Sequence, residues 1–145
     1  MKSYPQIRFM SEDLILPHWE SQDNPLITMK RYPFEDEKML IINRKTAKKI
    51  PIKDILYLRA DNNYTYFIMV SGATFLVAHS IKYFADFLES IHFVRVHRRY
   101  IINPLYVLEL VLEVEQISLS NGDNITISRR YKKVVNQLLG HKKKS

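Results

Sequence analysis

The chain has no cysteine, which excludes disulfides, thiolate metal sites and cysteine nucleophiles and fits a reducing cytoplasm. Glycine is almost as scarce. Gly72, Gly122 and Gly140 are the only three, so neither a phosphate-cradling P-loop nor a dinucleotide-binding fingerprint can be assembled. No stretch approaches the ~18–20 apolar residues that cross a bilayer, and the opening Met1–Leu14 segment lacks the sustained apolar core of a signal peptide. A cytoplasmic protein with no membrane partner is expected. The five histidines include one close pair, His92 and His97, whose spacing does not match a helical metal motif. Glu109, Glu113 and Glu115 are expected on one strand face. Such a row is ordinarily a hydrated surface, and catalysis from it needs burial that shifts a pKa. The expectation is therefore of no metal, no cofactor, no catalytic residue and no enzymatic activity.

What is present describes a folded chain. Hydrophobic residues supply 46% and charged residues 26% of the 145, proportions of a globular domain rather than a disordered polymer. That length holds one domain with a core, plus an extension. The net charge of +7 is unevenly placed. Residues 1–40 carry five Lys/Arg against seven Asp/Glu and residues 41–145 carry seventeen against eight, leaving −2 and +9. A part this basic attracts polyanions, nucleic acid foremost and anionic membrane surfaces second.

Residues 1–37 read as an N-terminal arm or linker, partly extended or disordered, because Pro5, Pro17, Pro25 and Pro33 interrupt any long helix or central strand. Its apolar residues, such as Trp19, Ile27 and Met29, could dock on the folded part or on a partner, an unidentified sensor or regulator protein among them. A domain is expected over 38–140 and a basic tail over 141–145. Short apolar or alternating runs predict strands near 38–44, 48–51, 55–60, 64–70, 74–79, 93–96, 100–102, 106–112, 116–120 and 124–127. Asp61-Asn62-Asn63, Ser71-Gly72, Asn103-Pro104 and Asn121-Gly122 supply turns, the last suited to a tight hairpin. Two helices interrupt this pattern. One, at 81–90, follows Ser80 as N-cap and aligns Ile81, Phe84, Ala85 and Leu88. The other, at 129–139, follows Ser128, is expected to bury Tyr131, Val134, Val135 and Leu138, and stops at Gly140. The predicted class is mainly β, a stack of small antiparallel sheets with two short helices.

Two basic clusters fall where elements meet. Phe93-Val94-Arg95-Val96-His97-Arg98-Arg99-Tyr100 alternates and then gathers His97, Arg98 and Arg99 at the strand end. A loop-facing positive patch results, for which an ordinary surface cluster is the plain alternative. Ser128-Arg129-Arg130, with Lys132 and Lys133, puts arginines in the first turn of a helix, where the macrodipole favours negative charge. That placement costs about 0.3–1 kcal/mol per exposed charge, and it makes sense where a phosphate docks on the same amides and guanidiniums. The plain alternative has both side chains bent into solvent. Asn62, Asn63, Tyr64 and Thr65 offer amides and hydroxyls that can read base edges or reach phosphates, although asparagines also gather in turns for conformational reasons alone.

The order and spacing of these segments resemble the LytTR family of bacterial DNA-binding domains. The resemblance rests on Ile52-Lys53-Asp54-Ile55-Leu56-Tyr57-Leu58, Asn63-Tyr64, the Phe-x-Arg-x-His-Arg-x-Tyr-x-x-Asn string from Phe93 to Asn103, and Asn121-Gly122 followed by Ile127-Ser128-Arg129-Arg130-Tyr131. It covers about residues 38–140. It implies loops, rather than a recognition helix, entering successive major grooves of duplex DNA: Asn63 to Thr65 first, Arg98 second and Arg129 third. Under it, His97 and Asn103 hold the loop by hydrogen bonds, and His97 can also touch phosphate. Arg99 stands where the family usually has a small serine, so added charge there alters non-specific affinity or base preference. Many members carry a receiver domain, for which residues 1–36 are too few, so control by phosphorylation in cis is not expected.

The resulting reading is a sequence-specific double-stranded DNA-binding transcription regulator without its own receiver domain, occupying paired sites as a homodimer. Its DNA-binding residues are Asn62, Asn63, Tyr64, Thr65, His97, Arg98, Arg99, Arg129, Arg130, Lys132 and Lys133. Arg98 and Arg129 are assigned to bases, and Arg130, Lys132 and Lys133 to phosphates. Two rivals remain: an RNA or single-strand binder using Tyr64, Tyr66 and Phe67 for stacking, and a protein-interaction β module whose charge only aids solubility.

Overall fold

A computed structural model describes the backbone over residues 27–32 and 35–143 and side chains from Lys38 to Lys143. Expectations for the arm before Ile27 and for the last two residues lie outside the described part. Two compact units divide the chain, Met1–Ile55 and Leu56–Ser145.

The first unit holds a three-stranded antiparallel sheet of β1 (Ile27–Tyr32), β2 (Glu35–Asn43) and β3 (Lys48–Pro51), with β2 in the centre. The stretch expected to be an arm up to residue 37 thus contains an edge strand and the start of a central one. Prolines permit this because β1 fits between Pro25 and Pro33 and sits at an edge, where a ladder needs fewer donors. Leu40, Ile41 and Ile50 are buried.

In the second unit a five-stranded antiparallel sheet has the order β6-β5-β4-β8-β7: β4 (Ile55–Asp61, its first residue in the other unit), β5 (Tyr64–Met69), β6 (Thr74–Val77), β7 (Val94–His97) and β8 (Tyr100–Ile102). A three-stranded sheet, β9 (Val107–Val111), β10 (Gln116–Leu119) and β11 (Asn124–Thr126), follows. The expected mainly β class, small antiparallel sheets with two helices among the described residues, is what the chain adopts. Gly122, at φ +94°, makes the β10–β11 turn that its Asn-Gly pair predicts. The run expected to extend to 112 ends at Val111, and a 3-10 turn, Leu112–Val114, takes over. Glu113 and Glu115 therefore share no strand face; Glu115 sits in the left-handed region at φ +55°.

Helix α1 (Ile81–Ser90) buries all four residues of the predicted stripe and Phe87 besides. Phe84 meets Phe67 of β5 edge to face at 5.0 Å between ring centroids, a favoured aromatic geometry. By the two-residue alternation of strands, Tyr57 and Ile102 point the other way from Leu58 and Ile101. Tyr57 and Ile102 join Val94, Val96, Val107, Leu110, Ile117 and Ile125 in a second core that helix α2 (Arg129–Leu139) closes with Val135 and Leu139. The expected α2 face is rotated: Val134 and Leu138 are 46% and 53% exposed, while Leu139 is 1% exposed and Tyr131 partly buried. The buried stripe is 131, 135, 139, one i, i+4, i+8 row. Gly140 does not stop the helix in a left-handed cap; its φ of −58° is right-handed and the chain continues into a 3-10 turn, Gly140–Lys142. Ser80 and Ser128 occupy the N-cap positions with extended backbones, but neither side chain makes a capping hydrogen bond.

Candidate nucleic-acid interface

Strand direction brings two of the predicted clusters to one sheet end. β4 runs into the turn at Asn62-Asn63, and β8 pairs antiparallel with it, Arg59 opposite Tyr100. The β7–β8 connection, with Arg98 and Arg99 at its tip between the paired His97 and Tyr100, therefore lies at the same end. Ala60 donates its N–H to the Arg99 carbonyl at 2.8 Å, fastening the two turns together. The third cluster is tied in as well: the Ser128 N–H donates to Val96 O at 3.0 Å, so the first turn of α2 starts beside the end of β7. Asn62-Asn63, Arg98-Arg99 and Arg129-Arg130, all exposed, thus belong to one connected backbone frame.

Local chemistry explains each piece. Asn62 adopts φ +55°, a left-handed conformation that asparagine enters more readily than most residues, and Tyr64 beside it is 49% exposed. At the second tip, His97 accepts the Arg99 N–H on Nδ1 at 3.1 Å, and its ring stands edge-on to Tyr100. Asn103, buried, accepts the Leu105 N–H on its side-chain oxygen at 3.1 Å while its own N–H donates to Leu56 O. Both motif residues thus hold backbone in place. At the third cluster, the Ser128 hydroxyl is buried and makes no hydrogen bond in the structure, so the N-cap side chain does not cap the amides of the first turn of α2. With two arginines there and no acidic residue, that turn favours an external anion.

Thr65 corrects the sequence reading. It is fully buried and donates its hydroxyl to His79 O at 2.7 Å, because alternation along β5 turns Thr65, Phe67 and Met69 inward. Thr65→Val is expected to lower stability by about 1 kcal/mol, the ordinary net contribution of one part-buried hydrogen bond, with duplex DNA affinity unchanged. Urea denaturation and DNA titration of one preparation check both halves. Lys132 is also less available than expected, since its Nζ lies 3.5 Å from Glu115 Oε2 in a partly exposed pair. Such surface pairs contribute little, but this one gives the ammonium a partner within the protein. Lys133 is exposed.

Two arginines near the interface carry no assignment from the sequence. Arg59 on β4 places its guanidinium over the Tyr66 ring, 4.4 Å from the centroid. Arg95 on β7 donates Nε to His97 O at 2.9 Å and an Nη to Arg98 O at 2.6 Å. Both sit in alternating runs, where sequence distinguishes only inward from outward.

Burial, together with the charges of Arg98, Arg99 and Arg95, holds the His97 imidazole below its ordinary pKa, and burial does the same for His79, stacked on Tyr83 at 4.0 Å. Unfolding releases both to the ordinary value near 6.5. Below that value the unfolded chain binds more protons than the folded one, so stability is full above it and falls as pH drops toward the depressed folded values. Urea midpoints should decline between pH 7.5 and 5.5, and the decline should flatten in a His79→Gln, His97→Gln variant.

Among the described residues no group of three or more His, Asp or Glu is placed to hold a metal ion, and no helix is long and apolar enough to cross a membrane. The family model of the LytTr DNA-binding domain matches residues 45–140. Among solved structures, the LytTr DNA-binding domain of a Bacillus cereus protein described as a methyl-accepting/DNA response regulator is similar in fold. Its TM-score is 0.58 at 20% identity, and the match covers 79% of this chain and 96% of that one. No curated protein matches.

Proposed function

This chain belongs to the LytTR family of DNA-binding domains, and from that premise we propose that it is a transcription regulator, not an enzyme, that reads duplex DNA through its loops in successive major grooves. The observation that carries the proposal is the single frame joining Asn62-Asn63, Arg98-Arg99 and Arg129-Arg130 by the Ala60–Arg99 and Ser128–Val96 backbone bonds. Three exposed tips on one support, with a basic unit behind them, suit a polyanion whose grooves recur along an axis. Asn62, Asn63 and Arg98 carry donors that fit base edges in the major groove, as does Arg129. Arg99, Arg130 and Lys133 serve the phosphates, and His97 supports the second tip. Two copies occupy paired half-sites.

Selection of bound sequences from a random duplex library, followed by salt titration of the winner and a scrambled control, tests this reading. Enrichment of two repeated half-sites about one helical turn or more apart is the expected outcome. Salt-sensitive binding with no enriched motif would reduce the protein to a general polyanion binder. Displacement of the duplex by excess single-stranded RNA would favour an RNA ligand instead.

A further inference from the structure

The Arg95 side chain reaches both the second tip and α2. It grips the carbonyls of His97 and Arg98 through Nε and an Nη, at 2.9 and 2.6 Å. Its guanidinium carbon also lies 5.8 Å from the centroid of the Tyr131 ring, whose other cationic neighbour is Arg130 at 5.4 Å. Tyr131 is the partly buried residue of α2's inner stripe, next to Arg129-Arg130. A planar fork with divergent donors can hold two carbonyls and stack on a ring together, which a lysine ammonium cannot do. Glu89 on α1 interacts electrostatically with Arg95.

We propose that Arg95 is a positioning residue that fixes the interval between the Arg98 tip and the Arg129 helix start, so that the two meet DNA as a pair of set spacing. The inference rests on the proposed reading of DNA by those tips. Arg95 itself contacts no base. It turns the flexible end of a two-residue hairpin loop into a rigid one by satisfying carbonyls that would otherwise face water, and it references that loop to the helix through Tyr131. Pre-set spacing avoids the ordering cost that a mobile loop incurs on binding.

Binding-site selection on the full chain, run in parallel for wild type, Arg95→Met and Arg95→Lys, tests the inference, with thermal melts to verify folding of each variant. Wild type should enrich bases at two positions per half-site with one interval. Arg95→Met should enrich the same bases at more than one interval, with the cognate-to-random affinity ratio down about tenfold, in the range of losing one well-placed base contact. Arg95→Lys keeps the charge, so its salt dependence should match wild type while its interval is as loose as that of Arg95→Met. A single wild-type interval and ratio in Arg95→Met overturns the inference, as does full rescue by Arg95→Lys, which would mean that charge alone is needed. Absence of any motif with wild type overturns the DNA reading and this inference with it, an outcome distinct from the other two.

Discussion

Arg98→Ala and Arg129→Ala should each lower discrimination between the selected operator and random duplex by about 1–3 kcal/mol, the contribution of one bidentate arginine–guanine contact. Removing such a side chain also removes a charge, so some general affinity is lost as well, and the diagnostic quantity is the ratio. Lys133→Ala and Arg130→Ala should weaken operator and random sequence alike and reduce the salt slope by about 1. The contrast follows from placement: Arg98 is the tip of a hairpin and Arg129 the first residue of α2, whereas Lys133 stands one turn further along the helix. Competition titrations at two salt concentrations separate the classes. Equal losses on operator and random duplex in all four variants would reassign both arginines to the backbone.

The second large effect concerns the support under the third tip. Leu139→Ala should destabilise the second unit by about 2–5 kcal/mol, since Leu139 is 1% exposed within the core that includes Leu110 and Ile117. Leu138→Ala, one position earlier and 53% exposed, should change stability by no more than about 0.5 kcal/mol. Denaturant midpoints of the two variants measure the rotation of α2 directly. If Leu138 proved the costlier of the two, the helix would be rotated against the sheets by one residue step, roughly 100°. Loss of Leu139 should also weaken DNA binding indirectly, by loosening the helix that begins at Arg129.

Sequence made the strands of the second unit legible because two-residue alternation and strong turn residues coincide there; Asn121-Gly122 fixes one hairpin and Asn62 another. The α2 face was less legible for a definite reason. Val134, Val135, Leu138 and Leu139 are all apolar, so two stripes satisfy the helical period, and only the sheet they meet decides between them. Strand β1 lay hidden among prolines, which mark breaks without saying that an edge strand fits between them. Thr65 was readable, since alternation with buried Phe67 and Met69 already sends it inward, but the composition of its turn outweighed that pattern. The exposed asparagines and arginines emerged from their clustering. Arg95 stands in the Phe93–Asn103 string, but its role was not legible there, because it depends on how a hairpin curls back on its own strand.

Two of the bonds that fasten the three tips together run from main chain to main chain, Ala60 to Arg99 and Ser128 to Val96. Scaffold and lettering are therefore separate inheritances. If Asn63, Arg98 and Arg129 read bases as proposed, replacing these exposed side chains should rewrite what the protein says to a duplex while leaving the page it is written on intact, since neither of those two bonds involves a side chain.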